Sequence, residues 1–387
     1  MPMDTYDQKQ PLRVLVLHNT LSPYRIVLFK ALAESEKYIF KFLFYVKQHN
    51  DHKWEFPENL GFDYSIMDTF DIKTPGGTLY FIKDLSLFRG TYDLVVISDH
   101  INIPETLLQI YAKIKGIPIL RWTEATKLML KNVGRIKRGF KALLNKTSDA
   151  MLVPGAESRE YVQSTTKKPI YTCNNVVDNE LFAQARNVSR DVVIRKKEQF
   201  GLQGVVISFF GQFVKRKGVE ILIKALDFVQ SQEEFSLLLV GDGILKNKIF
   251  AELNRNKRYK FFMAGYVDQN MLPTYYAISD IVVLPSYLDV WGMVVNESIA
   301  AGVPVICSDG AGASRDLIHP GESGLIFPKE DVGALASAIE TMLSSVELRR
   351  NMVVKADKIL ENYTVEKAKD QFLKAINSTY RTIKAQK

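Results

Sequence analysis

The sequence predicts an α/β protein of two doubly wound, Rossmann-like domains that face each other across a cleft. Short apolar runs alternate with segments whose apolar residues recur at helical spacing, a pattern typical of parallel sheets covered on both faces. This series occurs twice, before and after a polar segment of mixed charge, Asn175–Gln203, which we interpret as the linker region. The length of 387 residues also favours two domains, because one domain has about 150.

The first series supplies the elements of an amino-terminal domain. Its apolar runs predict buried strands at Leu12–His18, Ile39–Val46, Asp93–Ser98, Ile117–Trp122, Ala150–Val153 and Ile170–Thr172. Its amphipathic segments predict helices at Pro23–Glu34, Thr78–Phe88, Pro104–Lys115 and Met129–Lys146. Since helices separate most of these strands, we expect the strands to run parallel.

The second series supplies a carboxyl-terminal domain of the same kind. Strands are predicted at Val205–Phe210, Ser236–Val240, Tyr259–Met263, Ile281–Leu284, Val303–Cys307 and Gly324–Phe327. Helices are predicted at Gly218–Gln230, Leu245–Leu253, Asn270–Ile278, Met293–Ala301 and Val332–Leu343, and a last one at Val365–Ile383. In such sheets, ligands bind at the carboxyl ends of the strands.

The composition excludes several classes of protein. With 47% hydrophobic and 24% charged residues and no low-complexity tract, the chain is neither disordered, collagen-like nor a coiled coil. The longest uncharged stretch, Gln199–Val214, is shorter than the roughly 20 apolar residues of a membrane span. The first apolar run, Leu12–Leu17, is too short for a signal peptide. Cys173 and Cys307 are expected to be reduced core residues of a cytoplasmic protein.

The net charge of +8 favours an anionic partner. From charge alone, that partner is a nucleotide phosphate, an anionic membrane surface or a nucleic acid, or the chain is simply a basic enzyme. Residues 127–146 contain seven basic residues and no acid. An apolar stripe with helical spacing runs through them, formed by Met129, Val133, Ile136, Phe140 and Leu143. Such a helix either lies on an anionic membrane or packs its stripe in the core with a solvated basic face.

A strand, a loop and a helix follow one another in Leu284–Asp309, LPSYLDVWGMVVNESIAAGVPVICSD. Asp289 lies in the loop before the helix, and Glu297 lies about one turn inside it. Free N–H groups at a helix start favour an anion such as a diphosphate. An ionised carboxylate accepts several hydrogen bonds at once and therefore suits sugar hydroxyls. The alternative is that Asp289 is an ordinary N-terminal helix acid and Glu297 a solvated residue.

A basic loop follows a strand in Phe209–Val219, FFGQFVKRKGV. The cations of Lys215–Lys217 stand between the strand end at Gly211 and the helix that Gly218 opens, a good position for phosphate. A solvated basic turn is the alternative. The next strand is followed by Gly241–Gly243, and a single GxG is more typical of a tight turn than of a cofactor contact.

These segments together resemble the donor-binding half of retaining glycosyltransferases with the GT-B fold, in the large family four. The family includes bacterial mannosyltransferases and lipopolysaccharide-core glucosyltransferases. The resemblance rests on GQFVKRKGVEILIKAL, LLLVGDG, AGYVDQNMLPTYYAISDIVVLPS and DVWGMVVNESIAAGVPVICSDGAGASRDLI. It is strong from Val205 to about Leu343 and loose over the first 185 residues. There, SPYR at Ser22–Arg25 resembles members that build surface polysaccharides.

The resemblance implies a hexosyltransferase that moves a hexose from a nucleotide sugar to a cell-surface glycan, with a lipid-linked acceptor. Residues 1–185 would bind the acceptor and 186–364 the donor, and 365–387 would form a helix that crosses back to the first domain. Neither a nucleic acid partner nor a cofactor is expected. No metal is expected either, since Asp-x-Asp is absent and His49 and His52 are interpreted as a surface loop. The protein would be cytoplasmic or peripheral on the inner face of the cell membrane.

The resemblance also assigns roles to the candidate site residues. Glu297 would hold the ribose hydroxyls, Asp289 would bind hydroxyls of the transferred sugar, and Lys217 would neutralise the diphosphate. Glu124 stands where many relatives have a histidine near the sugar, so the candidate catalytic residues are Lys217, Asp289 and Glu124. Further donor contacts would come from Gly211, Gln212, Arg216, Val290, Trp291, Gly292, Met293 and Val294.

Departures from the family pattern keep other functions open. Asp289 is usually Glu, and Gln212 stands where a phosphate-binding Arg is usual, which is what a partner subunit with weakened turnover would show. A nucleotide-sugar epimerase on the same architecture is a second alternative, while a dehydrogenase lacks support because no GxGxxG follows a strand. The acceptor side is less legible: His18, His100, Tyr24 and Arg25 follow strands or open the first helix, where they would face an acceptor.

Overall fold

The computed structural model describes residues 10–46, 59–74, 77–85, 88, 90–131, 133–256 and 258–385. These residues form two compact units. The first unit comprises the described residues of Met1–Pro154, Ser158–Asn174 and Val365–Lys387, and the second comprises those of Gly155–Glu157 and Asn175–Thr364. The segment 175–185, expected in the first domain, therefore lies in the second unit.

The described secondary structure alternates strands and helices along the chain. The strands are β1 Leu12–Thr20, β2 Tyr38–Val46, β3 Tyr64–Ile66, β4 Thr69–Thr74, β5 Gly77–Ile82, β6 Leu94–Ser98, β7 Ile119–Trp122, β8 Ala150–Val153, β9 Ile170–Thr172, β10 Val205–Phe210, β11 Phe235–Val240, β12 Lys260–Gly265, β13 Ile281–Leu284, β14 Val305–Ser308 and β15 Leu325–Phe327. The helices are α1 Pro23–Ala33, α2 Ile103–Lys115, α3 Lys127–Leu130, α4 Arg135–Thr147, α5 Ala156–Gln163, α6 Asn179–Ala183, α7 Arg190–Gln199, α8 Val219–Phe228, α9 Lys246–Arg255, α10 Leu272–Ala277, α11 Met293–Ala301, α12 Ala313–Leu317, α13 Val332–Leu343, α14 Val346–Leu360 and α15 Val365–Lys384.

A parallel sheet forms the centre of the first unit, with its described strands in the order β3-β2-β1-β6-β7-β8-β9. Strands β1 and β6 contain buried apolar runs, at 14–17 and 94–97, which is typical of central strands in a parallel sheet. The last helix, α15, packs in this unit through Ala368, Phe372 and Ile376, which recur at helical spacing and are fully buried. The Phe372 ring contacts the Trp122 ring at 5.3 Å.

Two local predictions in the first unit were wrong. The expected helix at Thr78–Phe88 is instead strand β5, which pairs antiparallel with β4. In β5, Tyr80 and Ile82 pack on the core, whereas Leu79, next to Tyr80, is exposed, as the two-residue period of a strand requires. The expected helix at Met129–Lys146 is divided into α3 and α4, because the chain leaves helical geometry at Gly134, the N-cap residue of α4.

A second parallel sheet forms the centre of the second unit, with its described strands in the order β12-β11-β10-β13-β14-β15. The segment Asn175–Gln203, interpreted as a linker, instead contributes α6 and α7 to this unit. After β10 the chain crosses through α8 to β11 on one side, and after β13 it crosses through α11 to β14 on the other. The loops after β10 and β13 therefore diverge at a topological switch point, where sheets of this kind bind ligands.

Candidate functional site

The switch point in the second unit brings together the two segments that the sequence analysis singled out. The loop after β10 contains Lys217, and the loop after β13 contains Asp289. Backbone hydrogen bonds hold the two loops side by side, since the Tyr287 N–H donates to the Arg216 carbonyl at 2.8 Å. A Cβ at Gly218, where φ is +71°, would lie 1.9 Å from the Pro285 carbonyl oxygen. Only glycine permits this close approach.

Lys217 and Asp289, given separate roles above, form one ion pair between Nζ and Oδ2. The side chains are only 16% and 11% exposed, so the pair lies in the floor of the switch-point region rather than at its rim. The Asp289 backbone is fixed as well, because its N–H donates to the Gly310 carbonyl at 2.9 Å. A cation paired with a single carboxylate in this position can exchange that partner for a bound phosphate.

Glu297 lies in α11, half-buried, and its Oε2 accepts a 2.7 Å hydrogen bond from the hydroxyl of Tyr276. Tyr276 is fully buried and stacks on Phe210, the last residue of β10, with ring centroids 4.0 Å apart. Burial raises the pKa of Glu297 to about 7, although the Tyr276 hydrogen bond and the Lys217 charge act in the opposite direction. A ligand that donates hydrogen bonds to this carboxyl would favour its ionised form.

Helix α11 begins without a side-chain cap at Gly292, whose φ of +96° requires glycine. The free N–H groups at this start are available to an anion. Val290, Met293 and Val294 are half-buried beside it. The Trp291 side chain is buried, and its Nε1 donates a 2.7 Å hydrogen bond to the Asn296 side-chain oxygen. Trp291 thus braces the turn, and only its backbone is left for a ligand.

The structure pairs the residue that departs from the family pattern with a neighbouring cation. Arg216 donates a 3.1 Å hydrogen bond from its guanidinium to the side-chain oxygen of Gln212. Arg216 is exposed and Gln212 is half-buried, close to the strand end at Gly211. The guanidinium therefore lies beside the position where the family resemblance implies an arginine. The Gly241–Gly243 turn has a structural role, because a Cβ at Gly241 would lie 1.9 Å from the Gly211 carbonyl oxygen.

In the first unit, Glu124 also forms an ion pair, with the buried guanidinium of Arg25. That guanidinium lies 4.2 Å from the centroid of the Trp122 ring, and its side chain is 4% exposed. Arg25 therefore packs inward against Trp122, and its expected role toward an acceptor stays a prediction. The His18 ring lies 5.6 Å from the Trp122 ring and 6.1 Å from the His100 ring. Burial, the Arg25 charge and His100 together hold the pKa of His18 well below 6.5.

Sequence reasoning missed two residues, Tyr276 and Asn296, whose hydrogen bonds support the residues of this site. Tyr276 is a partner of Glu297 across 21 positions, and no local spacing indicates that contact. Asn296 joins the Trp291 ring to the chain at Asn175, whose carbonyl oxygen accepts at 3.1 Å. Both contacts join segments that are distant in sequence, and a sequence pattern does not encode how such segments meet. The sequence signal for Asn296 is that a polar residue directly follows the apolar run 293–295.

Within the described part of the chain, no three His, Cys, Asp or Glu side chains are grouped closely enough to hold a metal ion. His49 and His52 lie outside the described residues. Independence from metal therefore stays a prediction. No helix among the described residues combines the length and apolarity needed to cross a bilayer. Cys173 and Cys307 are free thiols, and both are buried.

The comparisons with known proteins agree with this geometry. Residues 192–359 match the family described as glycosyl transferases group 1. An uncharacterised glycosyltransferase of Methanocaldococcus jannaschii is 28% identical over 46% of this chain and 46% of its own length. The Campylobacter jejuni N-acetylgalactosamine-N,N'-diacetylbacillosaminyl-diphospho-undecaprenol 4-alpha-N-acetylgalactosaminyltransferase is 25% identical over 56% of this chain and 58% of its own. The chain thus spans about half the length of these curated relatives.

Solved structures extend the likeness of fold to both units. Crystal structures of Anabaena Alr3699/HepE with UDP and with UDP-glucose match 95% of this chain and 100% of their own, with a TM-score of 0.72. The sequence identity is 16%, so the likeness concerns the fold. In this chain, the fold consists of two units that each contain a parallel, Rossmann-like sheet.

Proposed function

We propose that this chain transfers a sugar from a nucleotide-sugar donor to an acceptor hydroxyl. Residues 192–359 match the glycosyl transferases group 1, and the two Rossmann-like units have the GT-B fold. The observation that carries the proposal is the switch point of the second unit. There the Lys217–Asp289 ion pair, the carboxyl of Glu297 and the free start of α11 come together. This set supplies a cation and N–H donors for a diphosphate and carboxylates for hydroxyls.

The donor would bind in three parts. Lys217 and the N–H groups of Gly292–Val294 would neutralise the diphosphate, with Arg216 contributing from beside Gln212. Glu297 would accept hydrogen bonds from the ribose hydroxyls and become ionised as it does so. UDP and UDP-glucose in the Anabaena structures support a donor of this class. Gly211 is proposed to let the chain pass close to the donor.

The chemistry needs little beyond positioning and charge. A nucleoside diphosphate is already a good leaving group, so catalysis consists of stabilising its departing charge and orienting the acceptor hydroxyl. We propose that Lys217 meets the departing charge and that Asp289, released from Lys217, binds hydroxyls of a transferred hexose. Retention of the anomeric configuration and independence from metal belong to the same proposal.

The acceptor is proposed to be a lipid-linked cell-surface glycan, such as a precursor of polysaccharide or lipopolysaccharide. The name of the Campylobacter relative includes a diphospho-undecaprenol acceptor. The net charge of +8 favours such an anionic partner, and peripheral attachment at the inner face of the membrane would give access to it. Glu124, with Arg25 and His18, is proposed to belong to the acceptor machinery of the first unit.

A partner subunit with weakened turnover is the second candidate, favoured by Gln212 and Asp289. The discriminating experiment offers UDP-, GDP-, ADP- and dTDP-hexoses with a membrane extract and measures the release of nucleoside diphosphate and the labelled sugar in glycolipid. We expect transfer from one donor by the natural chain, and unchanged or lower transfer after Gln212→Arg with Asp289→Glu. A large gain in the double variant would support loss of turnover instead. A sugar epimerised without transfer would support the epimerase.

A further inference from the structure

Helix α4 in the first unit turns its apolar stripe outward. Ile136 is 91% exposed, Leu143 53% and Phe140 36%. The residues that α4 buries are instead Lys141, Leu144 and Asn145. An ordinary surface helix buries its apolar stripe, whereas α4 exposes this stripe and buries Lys141. Of the two alternatives left open by the sequence, burial of the stripe in the core is therefore wrong.

Buried polar contacts hold α4 in this orientation. The Lys141 ammonium lies 2.7 Å from Oδ2 of Asp99, a nearly inaccessible carboxylate that also pairs with Arg121. The side-chain amide of Asn145 donates a 3.0 Å hydrogen bond to the Thr165 hydroxyl. Rolling α4 to bury its stripe would remove Lys141 from the buried Asp99, which is costly. The outward stripe is thus a stable feature of the fold.

The stripe continues across two neighbouring elements. Phe140 lines a shallow pocket together with Leu107 of α2 and Leu79 of β5. Asn102 ties these elements together, since its side-chain oxygen accepts from the Tyr80 N–H at 2.7 Å. We call the apolar face the set of exposed residues on β4, β5, α2 and α4, which are Phe70, Ile72, Leu79, Leu107, Ile110, Ile114, Ile136, Phe140 and Leu143.

Cations flank the apolar face. On α4, Arg135, Lys137, Arg138 and Lys146 are exposed, and residues 127–148 contain no acid. At the end of α2, the exposed residues include two lysines on either side of Ile114. The other flank of α4 borders a groove of about 620 Å³ with a basic lining from Lys127, Arg135 and Arg138. Lipid phosphates are the anions that accompany an apolar surface of this extent.

We propose that the apolar face and its flanking cations are a membrane-docking surface, which inserts into the interface of a bilayer rich in anionic lipid. The apolar side chains would enter the acyl boundary while the cations contact lipid phosphates, as in interfacial amphipathic helices. A second copy of this chain is a poorer occupant, because two such faces would bring their cations together. The surface belongs to the first unit, so it does not rest on the donor site or on the proposed transfer.

Vesicle sedimentation tests the docking surface. The chain is mixed with vesicles of phosphatidylcholine alone or with added phosphatidylglycerol, and the bound fraction is measured at low and high salt. We expect binding to anionic vesicles only, weakened by salt. The variant Ile136→Ser, Phe140→Ser, Leu143→Ser should lower the partition coefficient about tenfold or more. The matched control replaces equally exposed residues of the second unit, Ile244→Ser, Phe228→Ser and Phe250→Ser.

Charge is tested separately from apolar contact. The double variant Arg135→Glu, Arg138→Glu should also lower vesicle binding about tenfold. The control double variant Arg190→Glu, Arg195→Glu changes two exposed arginines of α7 and should leave vesicle binding unchanged. Thermal melting and titration with nucleoside diphosphate show whether each variant is folded and keeps its donor site. Equal vesicle binding by both triple variants would overturn the proposal. The proposal would also be overturned if the Ile136, Phe140 and Leu143 triple variant formed a smaller oligomer than the natural chain, measured by analytical ultracentrifugation, but bound vesicles equally well. The apolar face would then join copies of the chain.

Discussion

The carboxyl edges of the two sheets bury opposite kinds of ionisable group. In the second unit the group is an acid, Glu297, whose pKa burial raises to about 7. In the first unit it is a base, His18, whose pKa is held well below 6.5 by burial first and by the Arg25 charge second. Burial thus favours the neutral form of both groups. The two edges therefore offer a ligand different groups, a carboxyl in the second unit and a neutral imidazole in the first.

The two edges also differ in what shapes them. At the edge of the second unit, backbone approaches backbone closely, as Gly218 does to Pro285. At the edge of the first unit, large side chains fill the space, with Arg25 and His18 packed against Trp122. The edge of the first unit should therefore tolerate changes of backbone conformation better than the edge of the second unit. Substitutions can test this contrast directly.

The largest effect is expected for Gly218→Ala. The new Cβ would lie 1.9 Å from the Pro285 carbonyl oxygen at a φ of +71°, so the two loops at the switch point must separate. We expect the free energy of unfolding to fall by more than about 3 kcal/mol and nucleotide binding to be lost. Urea denaturation and calorimetric titration measure the two effects.

Gly201→Ala is the matched control, because φ is +64° there and no heavy atom lies within 4 Å of the added Cβ. It carries the backbone strain alone, about 1 kcal/mol. If the Gly218 and Gly201 variants were equally stable and bound nucleotide equally well, the close approach of the loops would not shape the site.

A smaller effect is expected for Glu297→Gln, and it depends on pH. Between the ordinary carboxyl value of 4.5 and the folded value of about 7, the folded protein binds more protons than the unfolded chain. The contribution of Glu297 to stability therefore falls as the pH rises through this window, by up to about 3 kcal/mol. The difference in unfolding free energy between natural chain and variant should follow this fall. If this difference stayed constant with pH, the pKa of Glu297 would not be raised in the folded protein.

The variant His18→Gln should show the opposite sign. Because the pKa of His18 is lowered in the folded protein, the unfolded chain binds more protons as the pH falls below 6.5. The natural chain therefore loses stability toward acid, and the variant should lose less. Arg25→Gln should raise the His18 pKa, measured by NMR titration of the ring protons, since it removes a nearby positive charge. If the His18 pKa were unchanged in the Arg25 variant, the Arg25 charge would not be a cause of the low His18 pKa.

The fold, and the two loops that meet at the switch point of the second unit, could be predicted because they follow from local rules. Strands such as Ala150–Val153 and Ile281–Leu284 are short apolar runs, and the structure confirms their bounds. The parallel sheets followed from the alternation of apolar runs and helical segments, and the GT-B fold from the resemblance to the glycosyltransferase family. Lys217, Asp289 and Glu297 stood out because phosphate and sugar chemistry needs particular residue types next to glycines at strand ends.

What could not be predicted depends on contacts between distant parts of the chain. The outward stripe of α4 results from Lys141 reaching Asp99, 42 positions away in sequence. The hairpin that replaced a helix at Thr78–Phe88 is stabilised by the antiparallel pairing of β5 with β4, and amphipathic spacing in so short a segment fits either structure. Likewise, the sequence indicated Glu124 and Arg25 as separate candidates, and it did not predict the ion pair between them.

Calorimetric titration with UDP, GDP, ADP, dTDP and NAD tests the central claim, that the second unit holds a nucleotide-sugar donor, most directly. We expect one nucleoside diphosphate to bind tightly, with about a hundredfold loss in Lys217→Ala, where a charge-assisted contact to phosphate is missing, and a comparable loss in Glu297→Ala. Lys224→Ala, an exposed lysine on α8, should bind as the natural chain does. Binding of NAD alone, or equal binding by all three variants, would contradict the account.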